Sequence, residues 1–340
     1  MKQKKYSNPF TATVNGIRDL FRKKERVGEL KPDDRLDGKK ALITGASSGL
    51  GLATAKELAR RGAEVIMAVR SGIPEKGEEV KEASGSETVK MLHVDLSDFD
   101  SIKNLVEKIR TDIGKIDILI CNAAVVSKKA RRTKAGLEEM FTVNYLAKFY
   151  LVNLLLKEDL FNKSSGSLPR IIFVSSESHR NPEKFEWDDF GVFKDYGMGK
   201  SVERYGYYKL LMTTFARELS RRLNPGRHPE FSVFALCPGP VNSNIAREAP
   251  AIFQPLLKLV FKIFFRSPET ASEPVVYLAC SKDVEGKGSD YLFLMSRKEV
   301  DDKADDPENG KRLWEVTEHF LLKYEKYMNQ RVNPLVHTEK

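Results

Sequence analysis

Between an apolar run, Lys40-Ala41-Leu42-Ile43, and a helical pattern of apolar residues stands Thr44-Gly45-Ala46-Ser47-Ser48-Gly49-Leu50-Gly51. No other stretch limits the fold so tightly. The run reads as a buried strand, and Leu50, Ala53, Leu58 and Ala59 share one side of a helix from about Gly49 to Arg61. Gly45 can take backbone angles closed to other residues, Gly49 lets the main chain approach a phosphate, and Gly51 lets the helix pack close to the sheet. The helix start, with Ser47, Ser48 and Leu50 in the same turn, then points unpaired N–H groups and a positive dipole end at an anion. Many Gly-rich turns bind nothing, so the rest of the chain must decide.

Strand and helix patterns alternate from there on. Strands are expected at Glu64–Val69, Thr88–Val94, Ile116–Cys121, Arg170–Ser175, Phe231–Leu236 and Asp290–Leu294. Helices are expected from about Asp98 to Ile113, in a long segment ending near Phe161, at Val202–Leu223 and at Lys311–Met328. Such alternation implies an α/β fold, a doubly wound parallel sheet with right-handed crossovers. One domain over residues 38–300 follows, with a basic N-terminal extension (1–37) and a C-terminal helical extension (301–340).

Three cysteines, Cys121, Cys237 and Cys280, show neither metal nor disulfide spacing, so a reducing, cytoplasmic setting and no metal site are expected. No apolar run reaches membrane-spanning length, and the N-terminus lacks the apolar core of a signal peptide. Of the net charge of +9, residues 1–40 supply +6, from twelve Lys/Arg against six Asp/Glu. Val14, Ile17, Leu20 and Phe21 fall at helical spacing beside Arg18, Arg22, Lys23 and Lys24, a basic amphipathic segment that could lie on anionic lipid or on the domain itself. Because the excess charge is terminal and no recognition motif accompanies it, nucleic acid is not an expected partner.

Ligands of such a sheet bind beyond the carboxyl ends of its strands. After the second strand, Val69-Arg70-Ser71 offers no acid for the ribose hydroxyls of NAD, whereas Arg70 suits a 2′-phosphate; NADP is favoured, NAD less so. Asp95-Leu96 follows the third strand and could cap the next helix or meet the adenine. Cys121-Asn122-Ala123-Ala124 follows the fourth, small residues against which a flat cofactor could lie. Val174-Ser175-Ser176 follows the fifth. Taken singly, each also reads as turn chemistry.

Tyr205-Gly206-Tyr207-Tyr208-Lys209 opens a long amphipathic helix and places Tyr205 and Lys209 on one face. A nearby ammonium stabilises phenolate and pulls a phenol pKa down toward the range of a working proton donor. Tyr196-Gly197-Met198-Gly199-Lys200 repeats the spacing, but its glycines make it a poor helix.

The order T-G-x(3)-G-x-G, D-L, C-N-A-A, V-N-Y, V-S-S, Y-x(3)-K and P-G resembles the short-chain dehydrogenase/reductase family over residues 40–245, with a Rossmann-type fold. Phe141-Thr142-Val143-Asn144, Ser175-Ser176-Glu177-Ser178-His179 and Lys311-Arg312-Leu313-Trp314 look like its retinol dehydrogenase-like branch. The resemblance implies a tetrad of Asn144, Ser176, Tyr205 and Lys209. Tyr205 would exchange the proton at the substrate oxygen, Ser176 rather than Ser175 would hydrogen-bond that oxygen, and Lys209 would hold the nicotinamide ribose and tune Tyr205. Asn144 would position a water beside Lys209. Pro238, Gly239 and Ser243 would hold the nicotinamide carboxamide, at a loop where the family more often has Thr. C-N-A-A stands where the family commonly has N-N-A-G.

Pro255 to Arg266 carries its only charges, Lys258, Lys262 and Arg266, on one stripe of an otherwise apolar helix. In the family this region covers the substrate, which implies a hydrophobic alcohol or carbonyl compound. A helix buried in the fold or a homodimer interface, and peripheral membrane contact, are the competing readings. His179 and His228 read as polar loop residues. The expected function is NADP-dependent interconversion of a hydrophobic alcohol and its aldehyde or ketone. The alternatives are a catalytically silent NADP-binding regulator and a membrane-peripheral scaffold.

Overall fold

The eight strands form one sheet in the computed structural model, which describes residues 25–163, 166–239 and 266–332, with 325–332 as backbone only. β1 (Lys40–Thr44) leads to α1 (Gly49–Arg60), β2 (Glu64–Val69), α2 (Glu75–Ser84) and β3 (Val89–His93). α3 (Phe99–Lys108) runs on through a wider π turn, Ile109–Ile113, to β4 (Ile118–Cys121). The long helix is made of α4 (Glu139–Phe141), a second π turn (Thr142–Leu146) and α5 (Ala147–Lys157). β5 (Arg170–Val174), a 3-10 turn (Glu177–Arg180), α6 (Met198–Leu223) and β6 (Ser232–Cys237) follow. α7 (Pro268–Cys280), β7 (Ser289–Phe293), β8 (Ser296–Arg297), α8 (Asp302–Asp305) and α9 (Pro307–Val332) come last.

The spatial order is β3-β2-β1-β4-β5-β6-β7-β8, and β1 to β7 run parallel. This is the doubly wound sheet expected from the alternation. The order reverses between β1 and β4, so a cleft opens beyond the carboxyl ends of those strands. Helices cover both faces, which is why the central strands are apolar throughout. Ile102, Phe149, Phe215 and Trp314 pack on one face; Leu58, Val80 and Val275 pack on the other.

Some features differ from the sequence reading. β8 is a two-residue antiparallel edge strand, and Arg297 Nε reaches Asp290 Oδ2 at 2.7 Å. α6 begins at Met198, so the glycine-containing segment is helical from Met198 on. Ser201 Oγ donates to Ser127 O at 2.6 Å and Ala130 N donates to Tyr196 O at 3.0 Å. These bonds to the loop after β4 outweigh the poor helix propensity of Gly199, a matter of about 1 kcal/mol.

The packed body also reaches beyond residues 38–300. Leu36 is in the core, and Asp34, fully buried, accepts from Lys31 N at 2.9 Å and Lys282 N at 3.1 Å. Val27 is tied at both ends of its peptide, to Met295 O (2.8 Å) and to Tyr277 Oη (3.0 Å). On the other side α9 buries Leu313 and Trp314, and Thr317 Oγ1 meets Tyr145 Oη at 2.6 Å. The basic segment Val14–Lys24, Ser243 and the apolar segment from Pro255 up to residue 265 lie outside the described residues. Among the described residues no helix is long and apolar enough to cross a membrane.

Candidate active site

The glycine turn closes the cleft at the end of β1. Gly45 has φ +69°, and a Cβ there would lie 2.9 Å from the Ala123 Cα. At Gly51 a Cβ would lie 2.4 Å from Gly45 O and 2.5 Å from Asn122 Nδ2, so only glycine lets α1 start this close to β1. Asn122 fastens the turn from below: Nδ2 donates to Thr44 O (3.0 Å) and Gly45 O (3.1 Å). Thr44 Oγ1 accepts from the amides of Asn122 (3.1 Å) and Ala123 (3.2 Å).

Gly49 differs from the other two. It has φ +53°, and a Cβ there would meet nothing within 4 Å. Ser48, the residue capping α1, makes no side-chain cap bond, and no acidic residue stands in the first turn. Uncapped N–H groups and open space above a glycine are what a diphosphate requires. The turn therefore fits the dinucleotide that the sequence implied.

At the other end of that cradle Arg70 is exposed just past β2. Asp95 lies near it. Burial pushes the Asp95 carboxyl up, but the hydroxyl and amide of Ser97 and the charge of Arg70 hold it below its ordinary value on balance. Ser97 N and Oγ reach Asp95 Oδ1 at 2.8 and 2.7 Å, so Asp95 shapes the turn into α3 while Leu96 is buried.

Beyond β5 the two serines part. Ser175 is buried, with Oγ 2.7 Å from Thr213 Oγ1. Ser176 is partly exposed, and its Oγ accepts from Ser178 Oγ (2.9 Å) and Ser178 N (3.2 Å). Tyr205 and Lys209 descend toward it on α6. Gly206 permits this approach, since a Cβ there would lie 2.8 Å from Ser178 O. Lys209 is 1% exposed; its Nζ donates to Val174 O at 2.7 Å and lies 5.5 Å from the Tyr205 ring centroid.

Burial, and then the neighbouring charge of Lys148, draw the Lys209 pKa down to about 7. The Tyr205 phenol departs from expectation. Burial raises its pKa, with Ser176 opposing through a hydrogen bond, and the Lys209 ammonium sits beside the ring, bonded to Val174 O. Tyr196 and Lys200, the competing pair, are separated: Tyr196 is buried with Oη donating to Glu138 Oε1 at 2.7 Å, and Lys200 is exposed.

Asn144 is fully buried in the π turn, and its side chain is spent on Val125. Oδ1 accepts from Val125 N and Nδ2 donates to Val125 O, both at 2.8 Å. Its main-chain carbonyl accepts from Lys148 Nζ at 3.1 Å. After β6, Pro238 is buried, and Gly239 has φ +78°, where a Cβ would lie 2.6 Å from Leu294 Cδ2.

Residues that the sequence reading passed over complete the site. His179 is no polar loop residue: it is fully buried. Asp301 N donates to its Nε2 at 3.2 Å, so Nδ1 carries the proton and donates to Ser176 O at 2.7 Å. Burial lowers its pKa to about 4. Glu177 beside it accepts from Tyr291 Oη (2.9 Å), Arg180 Nε (3.1 Å) and Lys298. Together these bonds fix the Ser176 turn to the segment before α8. Lys148, 1% exposed in α5, is the other omission.

The family model described as short chain dehydrogenase matches residues 39–186. Retinol dehydrogenase 14 of Mus musculus is 34% identical over 297 residues, covering 83% of this chain and 86% of its own. Retinol dehydrogenase 13 of Homo sapiens is 33% identical over 321 residues, covering 91% and 93%. Among solved structures, a protein from Mycobacterium paratuberculosis superposes with a TM-score of 0.65 at 27% identity, over 87% of this chain and 97% of that one. L-Sorbose reductase of Gluconobacter frateurii, solved with NADPH and L-sorbose, has the same fold at a TM-score of 0.58 and 21% identity, over 79% and 99%. With this degree of identity along most of its length, and with the motifs gathered on one cleft of a doubly wound sheet, the chain belongs to the short-chain dehydrogenase/reductase family.

Proposed function

We propose that the protein is an NADP-dependent oxidoreductase that interconverts a hydrophobic alcohol and its aldehyde or ketone. The observation that carries this reading is the convergence of Ser176, Tyr205 and Lys209 beside a glycine turn built for a diphosphate. Arg70 would face the 2′-phosphate, and Gly45, Ser47, Ser48, Gly49, Leu50 and Gly51 the diphosphate. Asp95 and Leu96 would flank the adenine, and Asn122, Pro238, Gly239 and Ser243 the nicotinamide end. NADPH, when bound, supplies the hydride.

Tyr205 would hold the proton that the substrate oxygen takes up, and would accept it in the reverse direction. Ser176 accepts two bonds from Ser178, so the proton it now offers to Tyr205 is the one it would turn to the substrate oxygen. Lys209 would hold the ribose and provide the positive charge that favours phenolate. Asn144, held in place by its amide bonds to Val125, would position a water beside Lys209. The retinol dehydrogenase names of the relatives support a retinoid, steroid or lipid-like substrate.

The test is a screen of purified protein with NADPH against retinal, steroid ketones and long-chain aldehydes, repeated with Tyr205→Phe and Tyr196→Phe. Tyr205→Phe is expected to cut turnover by on the order of 10²–10⁴-fold while leaving NADPH binding intact. Tyr196→Phe is expected to retain turnover. Exchanged behaviour of the two variants would make Tyr196 the proton donor and overturn the assignment to Tyr205.

A further inference from the structure

A buried charge under the cleft has no part in the reaction just described. Lys148 spends all three ammonium protons on main-chain oxygens: Ala123 O at 2.8 Å, Val143 O at 2.9 Å and Asn144 O at 3.1 Å. An ammonium has three donors and no acceptor, so this set satisfies it completely. The oxygens belong to two different segments. Ala123 follows β4 and forms the floor against which the glycine turn is held, through Thr44 Oγ1 and the close approach of Gly45. Val143 and Asn144 lie in the π turn, where the helical hydrogen-bond pattern is interrupted and main-chain carbonyls need other donors.

This arrangement is costly. Burial of an ammonium is unfavourable unless its partners are well placed, and a second cation, Lys209, lies within electrostatic reach. Apart from Lys209, the titratable group facing Lys148 is the buried Cys121 thiol, which carries no charge to offset it. A leucine or methionine would fill the same space without either penalty. The amine does what those residues cannot: it joins the strand-end floor to the turn that carries Asn144.

We propose that Lys148 is a positioning residue for the nicotinamide end of the cofactor, clamping Ala123 to Val143 and Asn144 so that floor and turn hold one geometry. The clamp rests on the functional reading above for where the nicotinamide lies. Displacement of a reacting group by 1 Å costs on the order of 10²-fold in rate. Lys148→Gln and Lys148→Met, assayed as full chains, are therefore expected to lower kcat by roughly 10- to 10²-fold, with the carbonyl-substrate KM within about twofold. NADPH affinity, read by quenching of protein fluorescence, is expected to fall by about tenfold. Lys148→Arg keeps the charge and several donors and is expected to recover part of both losses.

A folded Gln or Met variant with unchanged kcat and NADPH affinity overturns the proposal. So does failure of all three variants to fold, because the amine is then a determinant of the fold alone. A wild-type protein that binds NADPH but reduces no carbonyl compound defeats the oxidoreductase reading instead; the affinity difference between wild type and Lys148→Gln still decides the clamp. Absence of NADPH binding by the wild type defeats both.

Discussion

His179 makes the stability of this protein depend on pH in a calculable way. Its folded-state pKa of about 4 lies below the ordinary 6.5, chiefly because the ring is buried. Protonation would also place an N–H on Nε2 directly against Asp301 N–H, two donors facing each other. Between pH 6.5 and 4 the unfolded chain binds this proton and the folded chain does not, so stability falls as pH falls through that window and levels off below it. The displacement corresponds to about 3 kcal/mol. For a domain with a net stability of about 5–15 kcal/mol that is a large share. Urea unfolding of wild type and His179→Gln at several pH values between 7.5 and 4 measures it. Carboxylates contribute to both proteins, but the wild-type curve should be steeper by up to about 1.4 kcal/mol per pH unit inside the window. Equal slopes would show that the ring titrates alike in both states and would refute the lowering by burial.

Two further outcomes are expected. Arg70→Asp should move the NADPH-to-NADH preference toward NADH by about tenfold or more in binding titrations, since a charge-assisted bond to the 2′-phosphate is lost; an unchanged ratio would place Arg70 outside the cofactor site. The glycines of the turn should behave differently from one another. Gly51→Ala forces a methyl onto Gly45 O and Asn122 and should lower both thermal stability and NADPH binding, whereas Gly49→Ala, whose methyl meets no protein atom, should cost only about 1–2 kcal/mol for holding alanine at φ +53° and should lose binding. Loss of binding without loss of stability at Gly51 would contradict the packing described.

The fold was legible because its signal is local. Buried parallel strands are apolar over their whole length, as Ile118–Cys121 and Arg170–Val174 nearly are, and the glycine turn marks where strand gives way to helix. Tyr205 and Lys209 were legible for the same reason, four residues apart on one helix. His179 was not. Its burial comes from Tyr291 and Asp301, more than a hundred residues later, and nothing beside it in sequence announces them. Lys148 left a fainter sign, a lone cation inside the apolar stretch Leu146–Leu151, but a long amine in such a place commonly reaches out to water. Its three carbonyl partners depend on a π turn that helical periodicity does not reveal. The start of α6 escaped for another reason: the bonds from Ser201 and Ala130 that hold it are tertiary.

The short strand β8 has a consequence for how copies of this protein can meet. A parallel sheet that stopped at β7 would offer a five-residue edge of unpaired amides and carbonyls, a template for any passing strand. Two residues of β8 occupy the end of that edge, and the charged bridge from Arg297 to Asp290 lies over what remains. Desolvating that bridge to add another strand would be unfavourable, so this edge of the sheet is blunted against edge-to-edge growth. Strand pairing between copies is thereby disfavoured at this edge and is left to the opposite one, where β3 stands outermost.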